Sequence, residues 1–272
     1  NLMKRNSDYA WQCKVAKAMQ RVSEKIIWHV LEDLYEKTQA KNLVLSGGFF
    51  MNSVINGKVL DNTKFECIYL SHSPDDLGNS IGAALYVNHC VLGQPRTNYE
   101  ATSNIGPKYS LTDIESALER RKVKYEKLKN PEQEVAKILS RGEVVAVFQG
   151  GMEFGDRALG FRSILGDPRA VTMKDKINSM IKYRESYRPF APATLAAKAH
   201  EIFEVDKGYQ CNYMEKVVQV RNEWRKKLPA VTHFDGSARL QTVQKRHNPY
   251  FYRIIEEFEK ISGIPVVLNT SF

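Results

Sequence analysis

Between Gly150 and Arg169 the chain places five glycines and three arginines, Arg157, Arg162 and Arg169, within twenty residues. Glycine lets the backbone come close to a ligand, and a guanidinium meets phosphate or carboxylate oxygens as a rigid fork. The apolar run Val144–Phe148 leads into this stretch and reads as a buried strand. A strand that empties into a loop of this chemistry suggests a phosphorylated small molecule, without saying which.

Two shorter segments upstream could also do chemistry. Ser46-Gly-Gly-Phe-Phe-Met-Asn52 joins a strand to a helix, and Asn56-Gly57 follows one turn on. Gly47 and Gly48 would let backbone N–H groups and a helix N-terminus face an anion, although Gly-Gly after a strand also makes an ordinary tight turn. In Pro74-Asp-Asp-Leu-Gly78 an aspartate can offer its carboxylate to a metal-bound phosphate, or can cap the helix that follows. Further on, His233 and Asp235 read as a satisfied structural pair rather than a catalytic dyad.

Periodicity supplies the elements that must position these residues. Trp11, Val15, Met19, Val22, Ile26, Val30 and Leu34 recur at three- and four-residue steps, so 8–38 is expected to be one amphipathic helix with that stripe facing a core. Strands at 42–46 and 65–70 alternate with helices near 50–60 and 79–90. From 93 to 107 Gly, Pro, Asn, Ser and Thr replace the apolar pattern and mark a linker. A helix near 112–122, with Thr112 as N-cap and Glu115 as its capping-box partner, precedes one at 131–141. Helix 172–183, strand 216–221, helix 249–262 and a last strand at 264–268 complete an α/β pattern.

Composition narrows the class. A chain of 272 residues, 43% hydrophobic and 10% aromatic, fits a soluble globular protein of one large or two ordinary domains. No apolar run approaches the roughly 18 residues that span a bilayer, and the first residues are no signal peptide. The chain starts without Met and stops just after a strand, so truncation at both ends is expected. Cys13, Cys67, Cys90 and Cys211 form no CxxC pair, which points to reduced thiols and a cytoplasmic setting. The 40 basic residues against 31 acidic ones give +9. The arginines cluster in glycine-containing motifs rather than along a helix face, favouring a polyanionic small molecule over nucleic acid.

The motifs together resemble the O-carbamoyltransferases of the nodulation-factor and antibiotic-tailoring type. The match runs through Gly47, Gly48, Asn52, Asn56 and Gly57, then Pro74, Asp76, Gly78, Gly82, Ala83 and Ala84. It continues from Met152 to Arg169, and then through Lys182-x-Arg-Glu-x-x-Arg-Pro-Phe-Ala-Pro192. It ends with Pro229–Val243 and with Gly263–Phe272. The resemblance implies part of an actin-like (ASKHA) α/β domain over 1–95, a linker and leading helix over 96–129, and a YrdC-like α/β domain with a twisted sheet over 130–272.

What the resemblance implies chemically is a two-site enzyme. The second domain would join carbamoyl phosphate to ATP, with Mg2+, to give carbamoyl adenylate. The first would pass the carbamoyl group to a hydroxyl of a sugar-like or natural-product acceptor. Asp76 would be a metal ligand, with Fe2+ in the complete actin-like domain, whose His-x-x-x-His motif lies upstream. Gly47, Gly48, Asn52 and Asn56 would serve binding in the first domain. Crowding of anionic oxygens around the α-phosphate calls for fixed positive charge, which Arg157, Arg162, Lys182, Arg184, Arg188 and Arg239 would supply. Lys182 and Arg184, two residues apart, would aim at one face from an extended segment and diverge on a helix. Asn269 and Ser271 would hydrogen-bond the carbamoyl amide or a phosphate. Alternatives are a threonylcarbamoyl-adenylate synthase for tRNA, or a basic nucleic-acid-binding module.

Overall fold

A computed structural model describes residues 9–97 and 102–272. The first half runs α1 (Tyr9–Thr38), β1 (Asn42–Leu45), a 3-10 turn at Gly48–Met51, α2 (Ser53–Asn62), β2 (Cys67–Leu70) and α3 (Gly78–Tyr86). The second half holds α4 (Leu111–Arg120), α5 (Pro131–Ser140), β3 (Val145–Phe148), β4 (Arg162–Gly166), α6 (Met173–Ile177) and β5 (Ala191–Leu195). It continues with α7 (Ala199–Ile202), β6 (Lys216–Gln219), α8 (Asn222–Arg225), β7 (Ser237–Val243), α9 (Pro249–Ser262) and β8 (Val266–Thr270). The α/β class is as expected. Among the described residues no helix is long and apolar enough to cross a membrane.

In the first half β1 and β2 pair in parallel, Asn42 opposite Cys67 and Leu45 opposite Leu70. Leu31, Leu43, Leu45, Val59, Phe65 and Leu70 form its core. The α1 stripe is a correction to the expectation above. Met19 is 66% exposed, Ile26 59% and Val22 56%, and the other stripe residues are exposed as well. The helix instead packs through Leu31, with Ile27, Trp28 and Tyr35 partly covered beside it. Periodicity reports that a helix has an apolar face; it does not report what lies against it. The strand expected at 42–46 buries Leu43 and Leu45 but leaves Val44 exposed.

The helix near 112 starts one residue earlier than expected, and its cap is Ser110 rather than Thr112. Ser110 Oγ accepts from the Asp113 N–H at 3.1 Å, and the Asp113 carboxylate accepts from the Ser110 N–H at 2.8 Å. The reciprocal box is therefore Ser110 with Asp113, not Thr112 with Glu115.

Six strands of the second half form one mixed sheet in the order β3-β4-β8-β5-β7-β6. The β5–β7 pair is parallel and the other pairs are antiparallel. β3 is an edge strand with Phe148 exposed, not a buried one. β4 and β5 fall in segments that carry no strand signal. β4 begins inside the glycine-arginine stretch, and β5 holds Pro192 at an interior position opposite Leu268, where proline's missing N–H argues against a strand.

Register explains why this sheet can hold a polar site. Asn269 lies opposite both Leu165 and Ala191, and Gln241 lies opposite Ala193, which also faces Val267. Alternation then puts Leu165, Ala193, Val243 and Val267 on the same face as Arg239, Gln241 and Asn269. Helices α5 and α9 cover the apolar end of that face through Ala136, Leu139, Phe251, Ile255 and Phe258. The polar end lies beyond them.

The two halves meet where α2 crosses β6. A Cβ added at Gly57 would lie 2.0 Å from the Val217 carbonyl oxygen, so only glycine permits this approach. Beside it, the buried Asn56 donates Nδ2–H to the carbonyls of Phe50 (2.6 Å) and Glu215 (2.9 Å), one from each half. Gly57→Ala is expected to cost about 1–3 kcal/mol through overpacking. Urea unfolding would read that loss as a lower midpoint, while a parent-like midpoint would show that the halves shift apart without cost.

Candidate anion-binding site

The polar end of the sheet face opens into a cleft with about 430 Å3 of empty space. Arg157 enters it from the loop before β4, Arg184 from the segment before β5, and Arg239 from β7. Asn269, Thr270 and Ser271 close it from the end of β8. Cations from three separate stretches of sequence thus converge on one space.

Each is held by local structure. The Arg157 loop folds around the Glu153 carboxylate, whose Oε1 accepts from the N–H groups of Leu159 (2.8 Å), Phe161 (2.8 Å) and Arg162 (3.0 Å). Arg184 lies over the Phe190 ring and donates Nε–H to Asn178 Oδ1 at 2.7 Å. Lys182 ends the helical run that follows α6, and Tyr183 then takes a left-handed conformation, φ 46°. That single residue reverses the divergence expected of a helix. Lys182 Nζ reaches Ser271 Oγ at 3.0 Å and the Ser271 carbonyl at 2.6 Å, beside the cleft that Arg184 lines.

Electrostatically the cleft is cationic, with Arg157, Arg184 and Arg239 against Asp156 among its lining residues. Burial first, then the charges of Arg157 and Arg184, pull the Arg239 guanidinium down to about 10. Burial and Arg184 also lower Lys182, while burial and Arg188 lower Arg184. Arg239 Nε is buried without a hydrogen-bond partner, and among the described residues no carboxylate pairs with Arg157 or Arg239. Uncompensated buried cations are costly unless an anion completes them.

Asn269 adds a second demand. Its Nδ2 donates to the Ala158 carbonyl (2.9 Å) and to Gln241 Oε1 (2.8 Å), while Gln241 Nε2 donates to the Leu159 carbonyl (3.1 Å). Asn269 Oδ1 is left buried and unpartnered, an acceptor lacking a donor. Gln241 and Glu153 were missed from sequence: a lone carboxylate or amide inside a longer motif carries no signal of what it will orient.

Several residues expected at such a site lie elsewhere. Arg162 turns its guanidinium onto the Phe148 ring and onto carbonyls of Gln149, Gly150, Phe161 and Pro107, so it staples the loop instead of facing the cleft. Arg188 is exposed and 3.5 Å from Glu185. Asn52 caps α2 through Ile55 N–H and donates to Gln20, and Asn56 is the clip between the halves. Gly47 has φ 105° and already donates its N–H to the Pro74 carbonyl at 2.6 Å; Gly48 opens the 3-10 turn beside it.

Asp76 is exposed in the turn before α3. Among the described residues no group of three His, Cys, Asp or Glu could hold a metal. Asp76 therefore stands without a second expected ligand among the described residues, as the upstream place of the His-x-x-x-His motif implies. His233 and Asp235 meet through Ser237, whose hydroxyl donates to Asp235 Oδ1 (2.7 Å) and sits 3.0 Å from His233 Nδ1. With its hydroxyl committed to Asp235 and its side chain buried, Ser237 makes this a turn lock, not a nucleophile. A larger cleft beside β6, about 1590 Å3, mixes Lys58, Lys216 and Arg221 with Asp61, Glu204, Asp206 and Asp235, so it offers no net site for an anion.

Two family models match the chain. Residues 136–272, which hold every cation of the cleft, match the family described as carbamoyltransferase C-terminus, and residues 2–85 match carbamoyltransferase N-terminus. The chain belongs to the carbamoyltransferase family. It is 40% identical to the nodulation protein NolNO of Sinorhizobium fredii over 94% of this chain and 38% of that protein. An uncharacterized protein of Synechocystis is 40% identical over 95% of this chain and 46% of its own length. Another, from Methanocaldococcus jannaschii, is 35% identical over 100% and 47%. The chain therefore spans less than half the length of these relatives.

Proposed function

We propose that the cleft binds ATP with Mg2+ together with carbamoyl phosphate and forms carbamoyl adenylate, for onward transfer to a hydroxylated small-molecule acceptor. The observation that carries this is the convergence of Arg157, Arg184 and Arg239, with no paired carboxylate among the described residues, beside the unpartnered acceptor of Asn269. The cations suit a polyphosphate, and the carbonyl oxygen suits an amide N–H of a carbamoyl group.

In balanced form, water releases inorganic phosphate from carbamoyl phosphate. An oxygen of the resulting carbamate then attacks the α-phosphorus of ATP, and pyrophosphate leaves. Transfer joins the carbamoyl carbon to an acceptor oxygen, frees AMP and releases the hydroxyl proton. Negative charge gathers at the α-phosphate in the first stage, where fixed guanidinium groups stabilise it without reorganising. Binding of each half of the reaction to its own domain, actin-like before the linker and YrdC-like after it, belongs to the same proposal. Mg2+ would arrive with the nucleotide, since Asp156 is the carboxylate lining the cleft.

Incubating the chain with ATP, Mg2+ and carbamoyl phosphate should yield pyrophosphate and phosphate in equal amounts. Omitting carbamoyl phosphate should abolish both. Release of pyrophosphate that depends on threonine and bicarbonate instead would overturn the assignment.

A further inference from the structure

We propose that His72, which belongs to the first half, is a positioning residue for the anion cleft of the second half. The inference rests on the reading of that cleft just given. His72 follows β2 and is buried, and its Nδ1 lies 2.7 Å from the Phe154 carbonyl oxygen. A carbonyl can only accept, so Nδ1 carries the proton and donates. Three residues after Phe154 comes Arg157.

The ring is fixed on two further sides. It meets the Phe154 ring edge-on, with centroids 6.3 Å apart, and the Tyr213 ring at 5.6 Å. Its own backbone presses on the same loop. Gly155 has φ 128°, and a Cβ there would lie 2.5 Å from the His72 carbonyl oxygen. The chain between Phe154 and Arg157 is therefore in contact with His72 of the other half at both Phe154 and Gly155. Glu153 fixes the far side of the loop through Leu159, Phe161 and Arg162. On the near side the Phe154 N–H donates to the Ser103 carbonyl at 2.7 Å, and His72 holds the Phe154 carbonyl, the group that faces on toward Arg157.

Among the described residues Arg157 has no hydrogen-bond or ion-pair partner of its own to orient it. Its direction comes from the loop, and the anchor on the side of Phe154 that leads to Arg157 is the His72 hydrogen bond to the Phe154 carbonyl. Loss of that bond lets the guanidinium swing from the cleft without disturbing Arg184 or Arg239, which stand on other elements. The state of the first half is in this way transmitted to anion affinity in the second.

Calorimetric titration with inorganic tripolyphosphate and with Mg·ATP tests the inference. His72→Leu removes the donor and should weaken both ligands about tenfold. His72→Asn, whose amide nitrogen can sit where Nδ1 does, should stay within about twofold of the parent. His72→Gln sets its amide one bond too far and should behave as His72→Leu, so it replaces that variant if the leucine protein does not fold. In an Arg157→Ala background, His72→Leu should cost no further affinity. Equal binding by parent and His72→Leu, or the same loss in both backgrounds, overturns the role of His72 and leaves the cleft standing. A parent chain that binds neither probe overturns the cleft itself, and this inference with it.

Discussion

An Arg239→Ala protein is expected to fold and to bind Mg·ATP about a hundredfold more weakly than the parent. Arg239 rises from the middle of β7, opposite Val217, and its Nε is buried with no partner. Its neighbours in the cleft are Arg157 and Arg184, so like charges surround it. Such a group destabilises the empty protein and repays that only when an anion enters. Arg239→Met, which keeps much of the stem and removes the charge, should therefore melt at or above the parent temperature without ligand, yet lose the upward shift that ATP gives the parent.

The sign with pH follows. The folded-state value near 10 lies below the usual guanidinium range, so the charged form costs stability at neutral pH and the cost is relieved only as pH rises through about 10. Affinity for the anion moves the opposite way and falls over that range. Arg188→Ala is the control, since an exposed pair with Glu185 should leave affinity within about twofold. Full affinity in Arg239→Ala, measured by calorimetry, would remove the cleft from consideration.

The second large effect is expected at Glu153. Its carboxylate takes three backbone N–H groups from one loop, two of them on the buried Leu159 and Phe161. Glu153→Ala strands those donors and should destabilise the chain by about 3–5 kcal/mol, because hydrogen bonds to a charged acceptor each contribute about 1.5–3 kcal/mol. Glu153→Gln keeps an acceptor and should cost about half as much. Amide exchange at Leu159, Phe161 and Arg162 gives the local reading: fast exchange in the alanine variant, intermediate in glutamine. Parent-like protection in both would show that the loop is held by Arg162 and its carbonyl contacts alone.

Sequence made the elements legible where their signals are local. The last helix has its proline at the first turn, an asparagine cap and Gly263 at its end, and it forms where that pattern says. Non-local partners stayed hidden. Nothing in the spelling of Arg157 and Arg162 distinguishes the arginine that faces the cleft from the one that binds carbonyls, because the difference is set by the path of the loop around Glu153. Likewise Lys182 and Arg184 depend on one left-handed tyrosine between them, which no propensity foretells. β5 was obscured by Pro192, whose missing N–H is tolerated in the interior of this sheet.

The outward ridge of α1 bears on calorimetry of the whole chain. Apolar groups already partly hydrated in the native state gain less water on melting, so they add less to the heat-capacity increment of unfolding. Thirty residues from Tyr9 to Thr38, with Leu31 as their buried side chain, should melt over a broad interval with little curvature. The sheet with α5 and α9, densely shielded from solvent, should supply the sharp endotherm.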